Sequence, residues 1–209
     1  TWVGRPIELP GSKPLRFEPL DEPGLALRDW PAHHVVKCLA FYHPDDPGDL
    51  RRDQEARLEA LHADCVALDR ELLLELITTS SGRPNDDRTT ARALTRLYNL
   101  GIAPAWWKLE PQTPASWHAI GQVIASRDPW CNGVLLLGLD APEPDLVRSI
   151  ADAAATPICR GFAVGRSIFG AAARDWFAGT LDDDRAVATV AGNYTRLIGA
   201  WRGARGAVA

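Results

Sequence analysis

The chain has 209 residues, of which 46% are hydrophobic and 24% are charged, and its net charge at pH 7 is −4. This composition is typical of one soluble globular domain with a full core. The arginines form no basic stripe, no apolar run approaches the roughly 18 residues of a membrane span, and the N-terminus, with Arg5 and Glu8 among prolines, is no signal peptide. We therefore expect a cytoplasmic protein with no nucleic-acid or membrane partner.

Short apolar segments alternate with helical patterns along the chain, which is typical of parallel βαβ units. The predicted strands are Trp2–Glu8, Val35–Tyr42, Leu72–Ile77, Trp106–Glu110, Gly133–Gly138 and Gly161–Val164. The predicted helices run from about Asp45 to Leu68 and over Asp86–Leu100, Pro114–Ser126, Pro142–Ala155, Ser167–Ala178 and Asp182–Arg202. Acidic residues or prolines open most of these helices, as expected for helix N-termini.

The four cysteines lie far apart in the sequence and include no CxxC pair. They are Cys38, Cys65, Cys131 and Cys159. We expect all four to be reduced and structural.

The glycines distinguish between an open doubly wound sheet and a closed barrel. No GxGxxG motif follows the first strand, but Gly138 and Gly165 end the last two strands, where a barrel places its phosphate site after strands seven and eight. The sequence therefore predicts an α/β fold of the TIM (β/α)8 type, a single domain over residues 1–209. Counted back from these glycines, six of the eight strands are present and the first two are missing. This count predicts an N-terminally truncated barrel, part of a larger fusion protein, or a barrel closed by a partner.

Lys108 is the strongest candidate for a chemical role. Only three of the 23 basic residues are lysines, and a lysine can lose its proton whereas an arginine cannot. Period-two alternation places Trp106, Lys108 and Glu110 on one face of their strand. Tryptophan walls and a second nearby cation would favour the uncharged amine, which is a Schiff-base nucleophile. The alternative is a lysine at the strand end that pairs with Glu110 at the surface.

Lys37 and Glu75 also interrupt apolar strands. Charges buried in strands cost several kcal/mol unless they are partnered, so we expect these two residues and Lys108 to meet. Two cations and a carboxylate around one cavity are suited to imine chemistry. The alternative is an internal salt-bridge network.

The loops that follow the strands supply candidate substrate-binding residues. Gly138, Asp140, Gly165 and Arg166 are candidates for a phosphate site, although such glycines are often only tight turns. His43 is a further binding candidate, together with Glu110. A zinc site of His43 with His33 and His34 lacks any metal-ligand spacing, so we expect no metal and no cofactor.

Several segments together resemble the aldolase-like domain found C-terminal to 5-dehydro-2-deoxygluconokinase in bacterial myo-inositol catabolism. They are WVGRPIELPGS, HVVKCLAFYHPDDP, ELLLELI, LYNLGIAPAWWKLEP, GVLLLGLDAPE and GFAVGRSIFG, which span nearly all of the chain. More distantly, the chain is similar to class I tagatose-1,6-bisphosphate aldolases. The resemblance implies the Schiff-base role for Lys108, active-site roles for Lys37 and Glu75, and phosphate loops at Gly138 and Gly165. The aspartate on the first strand of those aldolases has no counterpart here.

The resemblance also implies a reaction, namely metal-independent cleavage of 2-deoxy-5-keto-gluconate 6-phosphate to dihydroxyacetone phosphate and malonate semialdehyde. The implied partners are this phosphorylated keto-sugar acid and a fused sugar kinase domain, and a homo-oligomer is left open. Two alternatives also remain open. One is a class II aldolase with a metal near His43, and the other is a non-catalytic barrel module that regulates a fused kinase.

Overall fold

Six parallel strands form one sheet, in which they neighbour one another in chain order. The structure, a computed structural model, describes residues 2–206. The strands are β1 (Val3–Pro6), β2 (His34–Phe41), β3 (Leu72–Ile77), β4 (Trp106–Leu109), β5 (Gly133–Leu137) and β6 (Cys159–Ala163). Sequential order is that of a (β/α) barrel, whereas strand order in a doubly wound sheet reverses at a switch point.

Helices connect the strands and continue beyond β6. They are α1 (Pro23–Arg28), α2 (Gly48–Ala67), α3 (Thr89–Asn99), α4 (Pro114–Arg127), α5 (Glu143–Ala154), α6 (Arg166–Phe177) and α7 (Asp183–Gly206), with a short 3-10 turn at Thr79–Ser81. Every predicted strand and helix is present, and the strand ends differ from the predicted ones by no more than two residues. The sequence prediction missed α1, because six residues are too few to show a helical period.

Within residues 2–206 the sheet is an open half-barrel with β1 and β6 at its edges. The two further strands that would make an eight-stranded barrel stay a prediction. No helix in this part of the chain is both long and apolar enough to cross a membrane.

The helices pack on one face of the sheet and form the core with it. Alternate strand residues supply this face, including Val36, Cys38, Leu74, Leu76, Trp107, Leu109, Val134 and Leu136. They meet helix residues such as Leu58, Leu61, Leu94, Leu97, Trp117 and Ile120. None of the four cysteines is in a disulfide, and all but the half-buried Cys131 are buried. Because the core takes every second strand residue, the intervening residues of β2 to β4 face the opposite side of the sheet.

A buried carboxylate fastens α2 and α3 to the end of β2. Glu55 accepts hydrogen bonds from Tyr42 Oη at 2.7 Å and from Arg96 Nη2 at 2.9 Å. Burial raises the pKa of Glu55, but the hydrogen bonds and charges of its partners outweigh burial and lower the pKa below its ordinary value. The ionised carboxylate therefore stabilises this side of the half-barrel.

Candidate active site

Strand register places the three predicted catalytic side chains on one face. Glu75 lies directly opposite Lys108 in the pairing of β3 with β4. Lys37 lies opposite Leu73, two residues before Glu75, in the pairing of β2 with β3. Since same-face side chains recur every second residue, Lys37, Glu75 and Lys108 all point away from the helix-packed core.

Glu75 bridges the two lysines. Its Oε1 lies 3.0 Å from Lys108 Nζ and its Oε2 lies 3.1 Å from Lys37 Nζ. The Glu75 side chain is only 4% exposed, while those of Lys37 and Lys108 are 20% and 15% exposed. The two amines are therefore partnered by a buried carboxylate and still reachable from solvent.

A second carboxylate, which the sequence analysis did not single out, completes the group. Glu8 follows β1, is 7% exposed, and bonds through Oε1 to Lys37 Nζ. The alternation within the predicted strand Trp2–Glu8 gave no reason to choose Glu8 over other polar residues. Only the register of β1 on β2, which pairs Pro6 with Lys37, shows that Glu8 reaches this lysine.

Lys37 is held as a cation by its surroundings. Burial acts to lower the pKa of Lys37, but the charges and hydrogen bonds of Glu75 and Glu8 outweigh burial, so the pKa is raised. Lys37 is therefore suited to stabilise negative charge rather than to act as a nucleophile.

The loops after β5 and β6 form the opposite side of an open cleft of about 310 Å³. The cleft is lined by Lys37, Leu39, Glu75, Ile77, Lys108, Leu137, Gly138, Leu139, Asp140, Ala163, Val164, Gly165, Arg166, Ser167 and Phe169. It thus contains the three predicted catalytic residues and four of the predicted binding residues.

Close packing explains one of the two cleft glycines. A Cβ atom on Gly138 would lie 2.9 Å from Val164 Cγ1, so a larger residue would push the two loops apart. After Gly138 the chain turns through Leu139 and Asp140, whose φ angles of 50° and 60° are in the left-handed region. Non-glycine residues adopt such angles at a cost, and they are found most often in turns and at functional sites.

Arg166 begins α6 at the rim of the cleft, where a helix N-terminus presents backbone N–H groups. Its Nη1 lies 3.6 Å from Asp140 Oδ2, and both side chains are more than half exposed. Asp140 therefore partners Arg166, whereas its own negative charge would repel a phosphate. Gly165 precedes Arg166 as the N-cap residue.

Glu110 does not line the cleft with Lys108, contrary to the expectation from alternation. Strand β4 ends at Leu109, and the buried Glu110 carboxylate turns to the chain after β3. Its Oε2 accepts hydrogen bonds from Thr78 N at 2.6 Å and from Thr78 Oγ1 at 3.0 Å, and its Oε1 accepts one from Thr79 Oγ1. Glu110 thus anchors the loop that follows β3, and the surface pair of Lys108 with Glu110 is not formed.

His43 also lies outside the cleft lining, and both of its ring nitrogens are engaged. Nδ1 accepts a hydrogen bond from Asp45 N at 3.1 Å, and Nε2 lies 3.0 Å from Asn85 Oδ1. Nε2 is therefore the protonated nitrogen. His33 and His34 pack edge-on against each other at the other end of β2. Across residues 2–206, no group of three or more His, Cys, Asp or Glu side chains is arranged to hold a metal ion.

The tryptophans do not surround Lys108 as expected. Trp107 lies in the core, where its indole donates a hydrogen bond to Tyr98 Oη at 2.8 Å. Trp106 packs edge-on against Trp2, and its indole bonds to Glu71. Leu39, Ile77 and Phe169 are among the apolar side chains that line the cleft instead.

These features define a parallel α/β protein whose six sequential strands form a half-barrel. A fructose-bisphosphate aldolase from Plasmodium falciparum, solved in complex with TRAP and a small-molecule inhibitor, matches with a TM-score of 0.65 over 97% of this chain and 68% of that chain. The sequences are 12% identical, so this likeness concerns the fold alone. The chain belongs to the family described as "uncharacterized protein conserved in bacteria" (DUF2090), whose model matches residues 1–205. A search of curated proteins finds no sequence match.

Proposed function

We propose that this protein is a class I aldolase that cleaves a phosphorylated keto-sugar acid through a Schiff base on Lys108. The observation that carries this proposal is the contact of one buried carboxylate, Glu75, with two lysine amines in a cleft bordered by glycine turns and Arg166. Two amines that are both reachable from solvent supply a nucleophile and a separate cation.

The first step joins the substrate to Lys108. Glu75 Oε1 takes a proton from Lys108 Nζ across their 3.0 Å contact, and the free amine attacks the substrate ketone carbon. Loss of water, formed from the ketone oxygen and protons returned through Glu75, leaves an iminium ion. The iminium then acts as the electron sink for carbon–carbon cleavage.

The second step breaks the bond between the third and fourth carbons of 2-deoxy-5-keto-gluconate 6-phosphate. Glu75 removes the proton of the C3 hydroxyl, and the fixed positive charge of Lys37 stabilises the oxygen as negative charge develops on it. The C3–C4 electron pair moves to the iminium, which releases malonate semialdehyde and leaves an enamine. Protonation at C4 and hydrolysis then release dihydroxyacetone phosphate and regenerate Lys108. This substrate follows from the family resemblance.

The phosphate would lie at the rim of the cleft. Arg166 supplies a guanidinium, and the first turn of α6 supplies backbone N–H groups next to Gly165. Gly138 lets the neighbouring loop approach closely, as its contact with Val164 requires.

Borohydride trapping tests the proposal. The protein is incubated with dihydroxyacetone phosphate and sodium borohydride, and the adduct is mapped by peptide mass analysis. The map is simple because the chain has only Lys13, Lys37 and Lys108. We expect one adduct, on Lys108, which Lys108→Met abolishes. Lys13→Arg is the matched control, because Lys13 bonds to Asp46 and does not line the cleft.

The absence of an adduct on all three lysines would refute the imine mechanism. If cleavage then persisted but was lost on treatment with EDTA, a metal-dependent class II aldolase would be favoured. If no cleavage occurred at all, the charged group would be the internal salt-bridge network of a non-catalytic module.

A further inference from the structure

Four neighbouring segments contribute one charged side chain each, and the charges alternate in sign. We call this group the charge row: Glu8 after β1, Lys37 on β2, Glu75 on β3 and Lys108 on β4. The two lysines of the row differ in their number of carboxylate partners. Lys37 contacts two carboxylates, whereas the salt bridges of residues 2–206 give Lys108 only one, Glu75.

This asymmetry matters when Glu75 changes its charge. In the proposed reaction Glu75 accepts a proton, first from Lys108 and later from the substrate hydroxyl. While Glu75 is protonated, its attraction for Lys37 is lost, and a 20% exposed amine next to aliphatic side chains would then tend to lose its own proton. Glu8 lies on the other side of Lys37 and does not contact Lys108, so its charge is independent of that transfer.

Glu8 is also placed for this single contact. It is 7% exposed, its Oε1 bonds to Lys37, and its Oε2 is buried without a hydrogen-bond partner among the described residues. Because burying an unpaired carboxylate is costly, the contact with Lys37 is what compensates the burial of Glu8.

We propose that Glu8 is a positioning residue that holds Lys37 as a permanent cation and thereby reserves amine chemistry for Lys108. The proposal rests on the proposed function for its consequence in catalysis. Its physical content, the protonation of Lys37, can be measured without any reaction.

The first measurement is the acetylation rate of each lysine as a function of pH. The folded protein is labelled, and each site is read by peptide mass spectrometry. Only the uncharged amine reacts, and Lys13 is an internal reference. A carboxylate at contact distance raises the pKa of an amine by at least about one unit. Glu8→Gln should therefore raise the acetylation rate at Lys37 by about tenfold. The rates at Lys13 and Lys108 should change little. Glu8→Asp, which keeps the charge, should restore a slow rate at Lys37.

The second measurement is the distribution of the borohydride-trapped dihydroxyacetone phosphate adduct. In Glu8→Gln we expect part of the adduct to move from Lys108 to Lys37. Glu59→Gln, an exposed position on α2, removes the same charge and should alter neither measurement. Thermal unfolding of each variant shows that it is folded under the labelling conditions.

An unchanged ratio of Lys37 to Lys13 acetylation in a folded Glu8→Gln protein would overturn the proposal, even if the wild type forms the Lys108 adduct. Conversely, a tenfold rise in that ratio supports the role of Glu8 even if the wild type forms no adduct. In that second case it is the proposed aldolase function that fails, so the two failures are distinguishable.

Discussion

Glu75 is the residue whose removal most disturbs the charge row. Glu75→Gln keeps the shape of the side chain but leaves two mostly buried cations with one carboxylate. Removing one partner of a buried ion pair costs about 3–5 kcal/mol. Partial exposure of both lysines places the expected loss of unfolding free energy near the lower end, about 3 kcal/mol. For a domain of this length, that corresponds to a fall in Tm of roughly 6–12 °C.

A double-mutant cycle distinguishes the loss of charge compensation from a loss of packing. Lys108→Met removes one cation and leaves a methionine of similar length. Combined with Glu75→Gln, it leaves a neutral pair of Glu8 and Lys37. The double variant should therefore be more stable than the sum of the single losses predicts, by about 1–3 kcal/mol. Urea denaturation of the four proteins at neutral pH measures this coupling.

The exposed pair of Glu143 and Arg196, whose Oε1 to Nε distance is 2.7 Å, provides the matched control. The same cycle on this pair should give a coupling near zero, because solvent screens exposed charges. Strict additivity in the Glu75 and Lys108 cycle would refute the picture of a mutually compensated charge row.

Three other predictions concern features outside the charge row. Glu55→Gln should lower the unfolding free energy by about 1–3 kcal/mol, a modest loss because the guanidinium of Arg96 is partly exposed. Folding lowers the pKa of Glu55, so the stability difference between wild type and variant should be complete above pH 4.5, the ordinary pKa of a glutamate. In urea titrations this difference should shrink as the pH falls below that value. Gly138→Ala should lower the unfolding free energy by about 1–3 kcal/mol, because the added Cβ would meet Val164, and thermal unfolding measures this loss. The same change should weaken the binding of dihydroxyacetone phosphate, as measured by calorimetry. Unchanged binding would argue against a close approach of the two loops. Burial raises the pKa of Cys65 and of Cys159 to about 12, so at pH 8 both should react with a disulfide reagent only after denaturation.

Local patterns were enough to predict the order of strands and helices. Apolar segments such as Gly133–Leu137 are bounded by turn residues, and helices such as α4 begin at proline, so their ends are visible in the sequence. The meeting of Lys37, Glu75 and Lys108 was also predicted, because three charges in buried strands need partners. Closure of the barrel was not established in this way, because it depends on strands beyond the six of the half-barrel.

Expectations about the surroundings of Lys108 were less accurate, and the reason is where its strand ends. Period-two alternation assigns faces only while a strand continues, and β4 ends before Glu110. The Glu110 side chain then follows its hydrogen bonds to Thr78. The sequence analysis missed Glu8 for a different reason, namely register. The contact of Glu8 with Lys37 depends on how β1 is aligned with β2. A one-residue shift in that alignment would have turned Glu8 away.

The alternating charges of the charge row also bear on where an anionic substrate group can bind. Neighbouring strands lie about 4.8 Å apart, so like charges on one face would repel strongly, whereas alternating charges stabilise one another. The charge row has two cations and two carboxylates, so its sum is zero and it offers a dianionic phosphate little net attraction. In the proposed function the phosphate would therefore lie at the rim, near Arg166 and the first turn of α6. A phosphate held there would leave the balance of charge around Lys108 undisturbed when a substrate arrives.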